Sequence, residues 1–177
     1  NPTSAITHNN LGVLLKDTGK LDEAKTSFVE AIRLNPEFAE AHNNLGLTLV
    51  NLHNYDDAEA SYNRAIELNP NFAEAYNNLG LFYYSRSVAP KHLDCFMNAI
   101  IVDPKNISYR WNFANLQLLK VYLKDEDYNY SLKKFDDELT KLNHFITTEN
   151  LDQAFEVVGT CFPYYLAYFE KNNKNLL

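Results

Sequence analysis

Glycine and proline are scarce, five and six residues respectively among 177. That scarcity excludes a turn-dense β fold and argues against long disordered stretches. Cysteine is almost missing too: Cys95 and Cys161 stand far apart, each among apolar neighbours. Both are expected to be reduced, buried, small core residues; a disulfide would need their Cα atoms within about 7 Å. No apolar run is long enough to span a bilayer, and the N-terminus lacks the basic-then-apolar pattern of a signal peptide. The expectation is therefore a cytoplasmic chain with no membrane partner. Clusters of Lys and Arg are absent as well, and the net charge of -7 excludes nucleic acid as a partner.

Signs of catalysis are also wanting. His8, His42, His53, His92 and His144 include no pair four residues apart, so no metal site follows. Three of the five glycines fall in Leu-Gly pairs, which leaves none for a phosphate-cradling loop. No Ser or Cys lies in a recognisable nucleophile motif. The chain is expected to be no enzyme by itself and to need no cofactor.

What is there is repetition. Segments 5–38 and 39–72 align without a gap, and 73–106 is a third copy, so the period is 34 residues. Leu11-Gly12, Leu45-Gly46 and Leu79-Gly80 recur. Each places a missing side chain mid-helix, a cost of about 1 kcal/mol that is tolerated where a neighbouring helix approaches closely. Ala24 with Phe28, and Ala58 with Tyr62, form a small–large pair on the second helix, and Ala31, Ala65 and Ala99 give another close-approach point. Pro36, Pro70 and Pro104 follow each second helix, where proline ends one helix and begins the next. Thr18-Gly19-Lys20 and His53-Asn54 are the short turns within the pairs.

Leu-Gly, then Ala-x-x-x-Phe, then Pro, at this period, is the tetratricopeptide signature. The predicted fold is all-α, a right-handed tetratricopeptide superhelix (an α-solenoid) of helix-turn-helix repeats with a C-terminal helical cap. Helices of about 12–14 residues are marginal alone, and stacked pairs share one continuous core. The expected boundaries are 1–4 as the end of a preceding repeat, three repeats at 5–38, 39–72 and 73–106, a degenerate fourth at 107–147, and capping or linker helices at 148–177. Asn1-Pro2 copies the Asn35-Pro36 and Asn69-Pro70 joints, so further repeats are expected upstream.

The third copy is irregular. Ser87-Val88-Ala89-Pro90 replaces the usual turn, and His92 stands where Ala24 and Ala58 stood, so a locally loosened helix contact is expected. Ile107 begins a fourth first helix, with Phe113-Ala114 in the Leu-Gly slot. Beyond it the register is lost, and Leu132, Phe135, Leu139 and Leu142 make one apolar helical stripe. The aromatic cluster Phe162, Tyr164, Tyr165, Tyr168 and Phe169 reads either as a cap on the open end of the solenoid or as a docking surface for a following domain.

The repeats especially resemble those of O-linked N-acetylglucosamine transferases, through Ala41-His42-Asn43-Asn44-Leu45-Gly46 and Ala65-Ile66-Glu67-Leu68-Asn69-Pro70. The tail, Val158-Gly159-Thr160 then Phe162-Pro163-Tyr164-Tyr165-Leu166-Ala167-Tyr168, is similar to the segment that joins repeats to the glycosyltransferase module in bacterial Spindly-like members. That resemblance implies a downstream glycosyltransferase domain using a nucleotide sugar in the parent protein.

Asn10, Asn44, Asn78 and Asn112 occupy one equivalent position in successive repeats. A carboxamide can bond both the C=O and the N–H of an extended peptide. First helices about 10 Å apart would meet such a ligand, which advances about 3.3 Å per residue, roughly every third residue. In the transferases this chain resembles, an asparagine at this position contacts bound peptide backbone. These four are the candidate peptide-binding residues. Asn9, Asn43 and Asn77, just before them, are expected to hold repeats together or to be solvated. Asn9 and Glu74 stand where a clamp for a C-terminal carboxylate would want lysines, which disfavours a chaperone tail as ligand. Three roles follow: a peptide-binding arm presenting protein substrates to a glycosyltransferase, a free-standing adaptor for one dedicated partner, or a self-assembly module.

Overall fold

The structure is a computed structural model; it describes residues 2–88 and 91–118, with single positions at 137, 138, 140, 141 and 144. Apart from those positions, the expected second helix of the fourth repeat lies outside the described residues, as do the tail at 148–177 with its aromatic cluster and Cys161. The chain divides into two compact units, Asn1–Pro104 and Lys105–Leu177.

Unit 1 holds six helices: α1 (Pro2–Asp17), α2 (Leu21–Leu34), α3 (Ala39–Asn51), α4 (Tyr55–Leu68), α5 (Ala73–Ser85) and α6 (Lys91–Val102). They pack chiefly as the pairs α1–α2, α3–α4 and α5–α6, α2 then packs on α3 and α4 on α5, and the first helices α1, α3 and α5 touch in sequence. No strand occurs among the described residues. The fold is the all-α tetratricopeptide solenoid.

The Leu-Gly glycines have a specific neighbour. A Cβ on Gly12 would lie 2.6 Å from the Phe28 ring, on Gly46 2.9 Å from the Tyr62 ring, and on Gly80 2.8 Å from the Phe96 ring. The requirement is thus set by an aromatic side chain of the same pair, rather than by helix backbones alone. Those three rings are almost fully buried, as are Ala24, Ala31, Ala58, Ala65 and Ala99. Burying a ring such as that of Phe28 or Phe96 contributes about 1.5–3 kcal/mol.

Each pair turns through one residue in the left-handed region: Gly19 at φ 79°, His53 at φ 61° and Ser87 at φ 57°. The amide of Gly19 bonds the Lys16 carbonyl and that of Lys20 the Leu15 carbonyl; His53 and Asn54 repeat this with Val50 and Leu49, Ser87 and Val88 with Tyr84 and Tyr83. These are Schellman motifs, which satisfy the last helix carbonyls. Of Ser87-Val88-Ala89-Pro90, expected to replace the usual turn, Ser87 and Val88 make the same bonds as their counterparts, and Ala89-Pro90 lie outside the described residues. Gly80 and Phe96 approach as closely as the other two pairs. His92 is buried at the start of α6, and its ring meets that of Tyr84 edge to face at 6.0 Å between centroids.

Between pairs, Asn35 and Asn69 adopt extended backbone and donate their amides to Ala31 and Ala65. Their side-chain oxygens accept from the amides of Glu37 and Asn71, so asparagine rather than proline alone shapes the joint. Pro2–Ser4, expected in such a joint, instead form the first turn of α1. Proline suits the first helical position because it has no N–H to leave unpaired there.

Unit 2 contains α7 (Ile107–Leu118). Ile107, Trp111 and Ala114 are buried and share one helical face. Asn106 accepts the Ser108 amide at 3.0 Å, at the helix start.

Candidate functional site

The face formed by the first helices carries the asparagines. On α1, α3 and α5 the same stripe runs through Ile6, Asn10, Val13 and Asp17, through Glu40, Asn44, Leu47 and Asn51, and through Glu74, Asn78, Leu81 and Ser85. Spacings of four, three and four residues keep each set on one face of its helix. Asn10 is exposed, while Asn44 and Asn78 are half-buried.

Asn44 donates from Nδ2 to Oδ1 of Asn9 at 3.0 Å, and Asn78 from Nδ2 to Oδ1 of Asn43 at 3.1 Å. Asn43 in turn donates to the Glu74 carboxylate at 3.2 Å. The carboxylate can only accept, so it fixes which way the Asn43 amide faces. Asn43 must then present its oxygen to Asn78. Each of Asn44 and Asn78 commits one N–H to this contact. A carboxamide has a second N–H and an oxygen to offer in addition.

Asn9 and Asn43 are buried, at 8% and 1% exposure. They join consecutive first helices, the structural role expected of them. Their acceptor function was not legible, because an Asn-Asn pair does not reveal which amide spans the gap between repeats. Asn112 is half-buried on α7 in unit 2.

Burial holds His42 below the usual imidazole range, an effect partly opposed by the Pro36 carbonyl, 3.1 Å from Nε2. The neutral ring thereby ties α3 to the joint before it. Burial, reinforced by Asp94, pushes the free Cys95 thiol up to about 11, which makes it an unreactive core residue at neutral pH. Burial likewise raises the phenols of Tyr62 and Tyr83; Tyr83 also donates to Glu59 at 2.6 Å. Among the described residues no three His, Cys, Asp or Glu side chains gather in a metal-sized group. No helix there is long and apolar enough to cross a membrane.

Family models described as tetratricopeptide repeat match residues 39–72 and 61–87, and one described as TPR repeat matches 14–52. No curated protein sequence matches the chain. Among solved structures, a MamA crystal structure is similar with a TM-score of 0.66 and 26% identity, over 81% of each chain. The first TPR of Spaghetti (RPAP3), bound to the HSP90 peptide SRMEEVD, gives a TM-score of 0.62 at 18% identity, over 66% of this chain and 92% of that one. The Arabidopsis OM64 TPR domain gives 0.63 at 20% identity, over 66% and 97%. At these latter identities the likeness is one of fold.

Proposed function

From a chain built of tetratricopeptide repeats, we propose a protein-interaction scaffold that holds extended peptide segments along its first helices. Asn10, Asn44 and Asn78 are the backbone contacts in unit 1, and Asn112 is a fourth by its repeat position. The observation that carries this is the pair of oriented carboxamides at Asn44 and Asn78, each tied through one N–H to the preceding first helix. An amide held in one orientation loses little freedom when a ligand arrives. It can address backbone, which every peptide has, and so accepts many sequences.

The affinity is modest. At about 0.5–1.5 kcal/mol net per hydrogen bond, a few such contacts give roughly millimolar to micromolar binding. A peptide array compared between the wild type and Asn44→Ala/Asn78→Ala tests the idea. The variant, with unchanged helicity, is expected to lose many unrelated peptides together. Equal binding by the two proteins would reassign the row to a structural role.

The transferase setting rests on the likeness of the repeats and of the tail. In it, the scaffold presents protein substrates to a nucleotide-sugar-using module encoded downstream. A parent reading frame without such a module would remove that setting and leave an adaptor or self-assembly role. Light scattering at high concentration separates those two, since an adaptor stays monomeric.

A further inference from the structure

The amide row has two flanks of opposite character. On α3 and α5 the residue four before each asparagine is an exposed glutamate, Glu40 and Glu74. The residue three after it is apolar: Val13, Leu47 and Leu81 along the three helices. Val13 and Leu47 are half-buried and Leu81 is 40% exposed. At 1.5 Å per residue the flanks lie about 6 Å to one side of the amides and about 4.5 Å to the other. Neither glutamate forms a salt bridge among the described residues, although Glu74 accepts from Asn43.

An extended peptide whose backbone faces the amides must send its side chains to the flanks. In a strand the N–H and C=O groups point at right angles to the side chains, and successive side chains point in opposite directions. We infer that the face selects extended segments with alternating apolar and basic residues. Apolar side chains lie on Val13, Leu47 and Leu81, and Lys or Arg on Glu40 and Glu74. This inference rests on the proposed backbone contact by Asn44 and Asn78 and adds the chemistry of the ligand. Alternation survives reversal of the strand, so the preference holds for either chain direction.

The test uses the full chain and four peptides of about nine residues, long enough at about 3.3 Å each to cross three helices about 10 Å apart. One alternates Val and Lys, a second has the same residues in two blocks, and a third and fourth alternate Val with Glu and Ser with Lys. The Val/Lys alternation is expected to bind about tenfold tighter than the block form, as expected if several exposed contacts act together. Glu40→Gln/Glu74→Gln should erase its advantage over Val/Glu, and Leu47→Ser/Leu81→Ser its advantage over Ser/Lys. Equal binding of the alternating and block peptides overturns the inference, and it does so alone if Asn44→Ala/Asn78→Ala weakens every peptide. If that asparagine variant weakens none of them, the backbone contact fails and the flank assignment falls with it.

Discussion

A glycine inside a helix costs about 1 kcal/mol against alanine, and unit 1 bears that cost three times because an aromatic ring fills the space a Cβ would take. The balance is decided by whether the ring can move. Tyr62 is 1% exposed, in a core with Leu49, Leu79 and Phe82, and overpacking such a site costs about 1–3 kcal/mol. Gly46→Ala is therefore expected to lower stability by about 1 kcal/mol, despite its better helix propensity. Denaturant titration checks this, and a second variant assigns the cause. In the presence of Tyr62→Leu the same Gly46→Ala change should cost less, because the planar ring is gone. A Gly46→Ala protein as stable as the wild type would mean that the ring is not held. The Leu-Gly pairs were legible as close-approach points. The identity of the approaching atoms was not, although the constant offset from Gly12 to Phe28, Gly46 to Tyr62 and Gly80 to Phe96 carries that information once two helices are paired.

The turn that closes each pair is the same element with three different residues at its left-handed position. Gly19 has no Cβ to strain, whereas a side chain there costs about 1–2 kcal/mol. Ser87→Gly should recover about 1 kcal/mol of this cost. His53→Gly should recover less, because His53 Nδ1 lies 2.8 Å from the Tyr55 hydroxyl and the rings meet edge-on. Thermal melts of the two variants decide it: a larger gain for His53→Gly than for Ser87→Gly contradicts the argument. Only the glycine of this series announces its conformation in sequence. His and Ser carry no such signal, so Ser87 reads as a break when it is a continuation. Helix positions, by contrast, were legible because Pro36 and Pro70 leave few alternatives and the apolar spacing is helical. The candidate site divides the same way. The row at Asn10, Asn44 and Asn78 shows as identity at a fixed period. The tie from Asn43 to Glu74 needs three-dimensional adjacency between residues far apart in sequence.

At the scale of unit 1 as a whole, burial favours the neutral forms of three acids, Tyr62, Tyr83 and Cys95. The Tyr62 ring lies tilted against that of Phe82, with centroids 6.3 Å apart. Tyr83 reaches from α5 to Glu59 of α4, and Lys91 lies 3.8 Å from the same carboxylate and 5.0 Å from the Tyr83 ring. Cys95 sits in the same cluster as both phenols. Burial raises all three above their ordinary values. In the unfolded chain the thiol ionises near 8.5 and the phenols near 10, while in the fold they stay protonated to higher pH. The unfolded state then binds fewer protons, and stability falls as pH rises. The contribution of Cys95 is complete below about 8.5 and is lost as pH climbs toward about 11. The phenols add their loss from about 10 upward, each by up to about 1.4 kcal/mol per pH unit. Denaturation midpoints should thus hold level from neutral pH to about 8.5, bend down, and steepen beyond about 10. Tyr83→Phe lowers the midpoint at neutral pH because the bond to Glu59 is lost. Its fall above pH 10 should nonetheless be shallower, since one ionising group has been removed. Parallel curves for wild type and Tyr83→Phe would show that the phenol ionises in the folded state as readily as in the unfolded chain.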